Sequence, residues 1–231
     1  MGRMHPPLAL TSSPPHTWGS TVYGVMLNHP PALEALGESA HQAPYQAPPK
    51  APVLYIKPRN THAGPGAVTI PPDVSQIEVG ASLGLVIGQV ARGVKAAEAL
   101  NYVAGYVTVA DLRIPHTTYY RPSVKLIARD GFCRMSDTWT PRAAVANPDE
   151  LTVKVWLDDA LVHQTTTGQR LRGAAQLLAD VSEFMTLDPG DVLLLGVSHG
   201  APCVQPGQSS RIEIDGLPPL TNHYLTTLEL P

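Results

Sequence analysis

Apolar and polar positions alternate with a period of two in several parts of this chain, most persistently in residues 76–88, QIEVGASLGLVIG. As a strand, this stretch sends Ile77, Val79, Ala81, Leu83, Leu85 and Ile87 to one side and Gln76, Glu78, Gly80, Ser82 and Gly84 to the other. The first side is core. The second is polar yet nearly bare of side chains, and glycine inside a strand often marks the close approach of a ligand or another backbone. The pattern predicts a strand whose second face floors a site, set against the plainer reading of a twisted or bulged strand beneath a neighbour.

Shorter runs of β-branched and aromatic residues predict strands at 21–27, 53–57, 105–111, 193–197, 210–214 and 224–230, with a further candidate at 124–128. Residues 151–157 and 160–164 flank Asp158-Asp159 as a hairpin would. Helical spacing occurs twice. Val94, Ala97, Leu100 and Val103 share one face over 94–103, and Leu171, Ala174, Leu178, Val181 and Met185 share one over 170–185. Residues 31–38 suit a short helical start behind proline. Residues 1–20 have no periodicity and read as a flexible N-terminal tail or an arm over a neighbour. The long connection 112–141 is of the kind that carries a site. Two helices among many short strands predict one β-dominated α+β domain over 21–231, a mixed β-sandwich or roll.

Composition narrows the function classes. Apolar residues are 43% of the 231, enough to bury a core. Charged residues are only 15% and the net charge is -3, which argues against nucleic acid and against an acidic membrane surface. No run approaches the roughly 18 apolar residues of a membrane span. Two cysteines outside any CxxC pattern make neither a disulfide framework nor a zinc motif, so a cytoplasmic protein is expected. The low charge, with 24 prolines and 19 glycines, fits a turn-rich surface partly covered by a partner. None of the nine histidines has HxxxH or HExxH spacing. Ser198-His199 invites a hydrolase reading, but adjacent side chains point apart and cannot form a nucleophile and base pair.

Several residues remain as candidates with two readings each. Asp111, at a strand end, is a turn cap or a metal or hydrogen-bonding group. Lys57 and Asn60 are turn scaffold or substrate contacts. Arg129 beside Asp130 is a local ion pair or an anion site, and Arg121 after two tyrosines is packing or a bidentate clamp on a dicarboxylate.

In order along the chain come Lys57-Pro58-x-Asn60, Ile87-Gly88, Val103-Ala104-Gly105-Tyr106, Asp111, Arg129-Asp130-Gly131-Phe132, Leu187-x-Pro189-Gly190-Asp191, Pro206-Gly207 and Gly216-x-Pro218-x-Leu220-x-Asn222. Together they resemble the fumarylacetoacetate hydrolase family over nearly everything after Ser20. Pro44-Tyr45, Ala47-Pro48-Pro49-Lys50, Tyr119-Tyr120-Arg121-Pro122 and Ser182-Glu183-Phe184 are most similar to the branch that serves homoprotocatechuate (4-hydroxyphenylacetate) degradation. The resemblance implies decarboxylation of 5-oxopent-3-ene-1,2,5-tricarboxylate and isomerisation of 2-hydroxyhepta-2,4-diene-1,7-dioate. It also implies a Mg²⁺ or Mn²⁺ ion that stabilises the enolate of a chelating 2-oxo or 2-hydroxy dicarboxylic acid.

Against that family the chain departs at four places. The metal-binding Glu-x-Glu falls on Gly80 and Ser82, leaving Asp111, with Glu78 two residues early on the same face, as the remaining metal candidates. The family's lysine before Arg-Asp falls on Ile127, with Lys125 one step along the same strand face as a substitute beside Arg129 and Asp130 as catalytic candidates. The threonine-rich substrate loop has become Leu195-Gly196-Val197-Ser198-His199-Gly200, and Pro30-Pro31 interrupts any His-x-x-Glu motif near Asn28-His29 and Glu34. Two partnerships are expected: a subunit of a metal-dependent decarboxylase/isomerase, or a degenerate partner, in a homodimer or heteromer, of a homologous subunit with an intact site. An independent enzyme on another 2-oxo acid, with Glu78 and Asp111 as ligands, is the alternative.

Overall fold

The spine of the protein in the computed structural model is an antiparallel pair of strands, Ile77–Ile87 and Val103–Arg113. The structure describes residues 13–117, 119 and 123–226. In chain order the strands are β1 Val22–Met26, β2 Val53–Lys57, β3 His62–Ala63, β4 Gly66–Ile70, β5 Ile77–Ile87, β6 Val103–Arg113, β7 Cys133–Met135, β8 Thr140–Pro141, β9 Thr152–Leu157, β10 Ala160–Thr166, β11 Val192–Leu194, β12 Cys203–Val204, β13 Ser209–Ile214 and β14 Leu220–Thr226. The α-helices are α1 Pro30–Glu34, α2 Ala96–Ala99, α3 Val124–Ile127 and α4 Ala174–Phe184. The large sheet runs β2-β1-β11-β5-β6-β7-β3, with β12 also on β5 and β8 on β6; the second sheet runs β10-β9-β13-β14-β4.

The main core lies between the two sheets and α4. Leu83, Leu85 and Ile87 of β5 meet Tyr106 and Leu112 of β6, Val153 and Val155 of β9, Ile212 of β13, and Leu177, Leu178 and Val181 of α4. A second cluster covers the opposite face of the large sheet, where Val86, Val107, Val109, Val192 and Met135 pack beneath Trp18 and Trp139. Those two rings stand edge to face at 6.5 Å. The central strands are therefore buried on both faces, and the β-dominated α+β architecture agrees with the sequence pattern.

Differences from the sequence reading are local. The second face of β5 is packed against neighbouring side chains: a Cβ on Gly84 would lie 2.7 Å from Val107 and 2.8 Å from Val192. The strand candidate over 124–128 is instead α3, Val124–Ile127, because the N–H groups of Leu126 and Ile127 both close on the Ser123 carbonyl. The helix expected over 94–103 is one α-turn and one 3-10 turn, Leu100–Tyr102, before β6 takes over at Val103. α4 begins at Ala174, whose N–H is held by Asp149 Oδ1 at 2.8 Å, so Leu171 precedes the helix and is largely exposed. The hairpin turn is as expected, with Asp158 and Asp159 both at positive φ. Within the expected tail, residues 13–20 include a 3-10 turn, Pro15–Thr17, and the docked Trp18.

Candidate functional site

Tyr55 and Lys57 project from the same face of β2. Gly24 stands opposite Tyr55 in β1, and a Cβ there would fall 2.1 Å from Tyr55 Cζ. The bare backbone lets the phenol ring lie across β1, and its hydroxyl donates to Asp111 Oδ2. Lys57 is fully buried. Its ammonium donates to the carbonyls of Leu112, Ile127 and Phe132 at 2.7, 2.9 and 3.1 Å, which commits all three protons. Asp111 Oδ1 lies 2.6 Å from the same nitrogen, so the contact is chiefly Coulombic; the two side chains are 0% and 2% exposed. Burial, and next the Asp111 carboxylate, raise the Tyr55 phenol well above its ordinary value, which keeps it a neutral donor. Burial pushes the neighbouring Cys133 thiol up to about 12, making it a packing group rather than a nucleophile.

Across the β5–β6 ladder Asp111 faces Gly80 and Arg113 faces Glu78. Glu78 Oε1 accepts from Arg113 Nε at 2.7 Å and also from Nη2. Val197 stands over Gly80: a Cβ on Gly80 would lie 2.5 Å from Val197 Cγ2 and 2.7 Å from the Asp111 carbonyl oxygen. Ser82 turns its hydroxyl to the Gly196 carbonyl at 3.2 Å. A hard divalent cation requires several oxygen ligands, usually with more than one carboxylate free to bind it. This face offers Asp111, already balanced by Lys57 and capped by Tyr55, a Glu78 committed to Arg113, an engaged serine and the methyl groups of Val197. Among the described residues no three His, Cys, Asp or Glu side chains gather as metal ligands. The residues present do not fit Mg²⁺ or Mn²⁺, and Glu78 and Asp111 form two ion pairs rather than a ligand set.

Beside this face opens a cavity of 320 Å³. Its lining includes Val25, Met26, Leu27 and Leu36, together with Glu78, Arg113 and His116. The His116 Nδ1 lies 2.9 Å from the Ile114 carbonyl, an acceptor only, so Nδ1 carries a proton. Its Nε2 is buried and has no hydrogen-bond partner among the described residues. The loop after β11 is pinned by Asn28, whose amide donates to the Leu195 and Arg172 carbonyls at 3.0 Å each. Ser198 Oγ accepts from Arg170 Nη2 at 3.1 Å, while the His199 N–H donates to His29 Nδ1 at 3.0 Å. Ser198 and His199 make no bond to each other, so the serine is not activated. Burial first, then Arg170, hold His29 below the ordinary histidine value, and burial lowers Arg170 to about 10.

The remaining sequence candidates lie apart. Asn60 Nδ2 donates to the Ala128 carbonyl and to Asp130 Oδ1, at 3.1 and 2.7 Å, tying the turn after β2 to the turn that contains Gly131. Arg129 pairs with Asp73 at 3.0 Å on the surface. Arg129 and Asp130 line a separate depression with Thr69, Pro71 and Arg134, which shares no lining residue with the cavity beside β5. Lys125 is exposed on α3; residues two apart on a helix diverge, so it does not share a face with Ile127 as a strand would require. Arg121 lies outside the described residues. Tyr55, Arg113 and His116 were not singled out from sequence. Arg113 was within reach of that reading, because it sits two residues beyond Asp111 on the same strand face; Tyr55 and His116 carry no local signal.

The model of the fumarylacetoacetate (FAA) hydrolase C-terminal family matches residues 21–224. The 4-hydroxyphenylacetate degradation bifunctional isomerase/decarboxylase of Escherichia coli is 40% identical over 210 residues, covering 91% of this chain and 48% of that protein. The chain thus spans about half the length of that relative. Among solved structures, the 5-carboxymethyl-2-hydroxymuconate delta-isomerase of Mycobacterium smegmatis superposes with a TM-score of 0.74 at 24% identity, over 90% of this chain and 77% of that one. The maleylpyruvate hydrolase of Sphingobium sp. SYK-6, solved with manganese (II) ion and pyruvate, gives the same TM-score and identity over 90% and 71%. At such identities these two likenesses speak for the fold. By the family match and the close relative, the chain belongs to the fumarylacetoacetate hydrolase family.

Proposed function

We propose that this chain is the metal-free member of a two-unit decarboxylase/isomerase of 4-hydroxyphenylacetate degradation, working beside a homologous unit that keeps the Glu-x-Glu carboxylates. The observation that carries the reading is the state of the metal face: Gly80 lies beneath Val197, and Asp111 is held by Lys57 and Tyr55. The likeness to a bifunctional relative about twice as long supports a second unit, and so does the low charged fraction of the chain. The partner is either a further subunit or a fused half. The substrate class is a 2-oxo or 2-hydroxy dicarboxylic acid, bound with Mg²⁺ or Mn²⁺ at the intact unit. An independent metal enzyme built on Glu78 and Asp111 is less well supported, because both carboxylates are already paired.

The test is the ultraviolet absorbance of 2-hydroxyhepta-2,4-diene-1,7-dioate with Mg²⁺. The purified chain alone leaves the absorbance unchanged, and co-purification with an intact homologous unit restores turnover. Turnover by the isolated chain, or one stoichiometric Mg²⁺ site of micromolar affinity by calorimetry, would refute the proposal.

A further inference from the structure

Residues 13–20 lie as a strap on the large sheet, and the groups that hold them come from distant parts of the chain. The 3-10 turn Pro15–Thr17 packs on β3 and β7. Trp18 Nε1 donates back to the Ser13 carbonyl at 3.0 Å, and its ring meets Trp139 over the second apolar cluster. Gly19, at a φ of +68° that glycine adopts without strain, turns the chain toward β1. There the Thr21 N–H donates to Asp191 Oδ1 at 2.8 Å. His16 is seated on the bare backbone of Gly64. A Cβ on Gly64 would lie 2.7 Å from His16 Cε1 and 3.1 Å from Asp137 Oδ1, so ring and carboxylate flank one point. Arg134 Nη1 donates to the Gly64 carbonyl at 3.0 Å, and His62, two residues earlier on β3, lies with Nε2 2.9 Å from the Lys57 carbonyl. Arg59 is the remaining cation, with Nη1 3.9 Å from where a Cβ on Gly19 would stand.

We propose that residues 13–20 form a strap that His16 seats over Gly64 and that acidification releases, uncovering Trp139 and the apolar face beneath it. The His16 Nδ1 is buried with no hydrogen-bond partner among the described residues. A protonated ring carries N–H on both nitrogens, so the charged form would bury a donor with no acceptor, a larger cost than the neutral ring bears. Burial is the chief influence on the ring and lowers it; Asp137 opposes burial, and Arg134 adds to it. The released ring then takes up a proton more readily than the seated one. Seating is at full strength above about pH 6.5 and weakens as the pH falls below it. His62 is also lowered, chiefly by burial, and shares this sign. Asp191, raised by burial, carries the opposite one, so release in acid reports the histidines. The inference is independent of the two-unit reading.

The test is acrylamide quenching of tryptophan fluorescence in the full chain carrying Trp156→Phe, which leaves Trp18 and Trp139 as reporters. Between pH 7.5 and 5.5 the quenching constant is expected to rise about twofold as a local opening bares two half-buried rings, with far-ultraviolet circular dichroism unchanged. His16→Gln cannot take up the proton and should abolish the rise, whereas His62→Gln should leave most of it. Asp137→Asn withdraws the carboxylate that favours the charged ring and should move the midpoint of release to higher pH. In the native chain, amide exchange of residues 13–21, corrected for its intrinsic pH dependence, should quicken over the same interval while β5 keeps its protection. Equal quenching or equal exchange at the two pH values, a rise that persists in His16→Gln, a rise lost in His62→Gln, a midpoint moved down by Asp137→Asn, or circular dichroism lost together with the strap would each overturn the proposal.

Discussion

Replacing Lys57 by Met keeps the length of the side chain and removes its charge. The consequence follows from four distances. The ammonium lies 2.6 Å from Asp111 Oδ1 and donates to three carbonyls at 2.7 to 3.1 Å, in a place where neither ionic side chain is more than 2% exposed. Without it the Asp111 carboxylate is stranded in the interior, with the Tyr55 hydroxyl as its hydrogen-bond donor and Arg113 as the nearby cation. Leaving one member of a buried pair uncompensated costs about 3–5 kcal/mol. Lys57→Met should therefore lower the unfolding free energy by about 4 kcal/mol, a large share of the total for a domain of this size. Asp111→Asn keeps an acceptor for Tyr55 but leaves a buried ammonium with carbonyls alone, at a cost of about 3 kcal/mol. The double variant buries no charge, and its cost should fall short of the sum of the two by about 3 kcal/mol. Urea unfolding followed by tryptophan fluorescence measures all four corners of the cycle, and a Lys57→Met loss of this size moves the midpoint by about 1.5–2 M. If the two effects add within about 0.5 kcal/mol, the two groups are not a coupled pair and the reasoning fails.

Gly80→Ala should destabilise by about 1–3 kcal/mol through overpacking against Val197 and the Asp111 carbonyl, and Val197→Ala in the same chain should recover part of that loss in thermal melts. Recovery of nothing would show that Val197 is not what fills the face. Gly24→Ala should displace the Tyr55 ring; one fewer high-titrating phenol than in the native chain, which also raises Tyr23, Tyr106 and Tyr224, is the signature in ultraviolet-monitored pH titrations, and an unchanged number contradicts it. His29, His62 and His163 are each held below the ordinary histidine value of 6.5, chiefly by burial. The unfolded chain then binds protons more readily than the folded one, so stability is full above about pH 6.5 and falls as the pH drops below it. Equal melting temperatures at pH 7.5 and 5.5 would contradict that sign.

The fold was largely legible because period-two alternation survives in β5, in the β9–β10 hairpin and in β13, where a buried face dictates the side-chain type. It was not legible in α3, where four residues give too little pattern to separate a helical turn from a strand, and two backbone N–H groups converging on Ser123 decide the matter. In the candidate site, small residues on β5 were visible, but a face stripped of side chains looks the same whether a ligand or a neighbouring side chain comes close. What separates the two is the occupant of the space opposite. Here that occupant is Val197, delivered by a loop far away in the chain and held by Asn28 and Ser82. Lys57 stood out as turn scaffold or a substrate contact, but its burial did not, because lysine is seldom buried unless it is paired, and its partners come from Leu112, Ile127, Phe132 and Asp111, which only the folded chain assembles. An isolated carboxylate at Asp111 reads as the remnant of a metal site. The same carboxylate beside a buried ammonium is a satisfied structural pair, and returning Glu to position 80 alone would drive a new side chain against Val197 and the Asp111 carbonyl instead of recreating a metal centre.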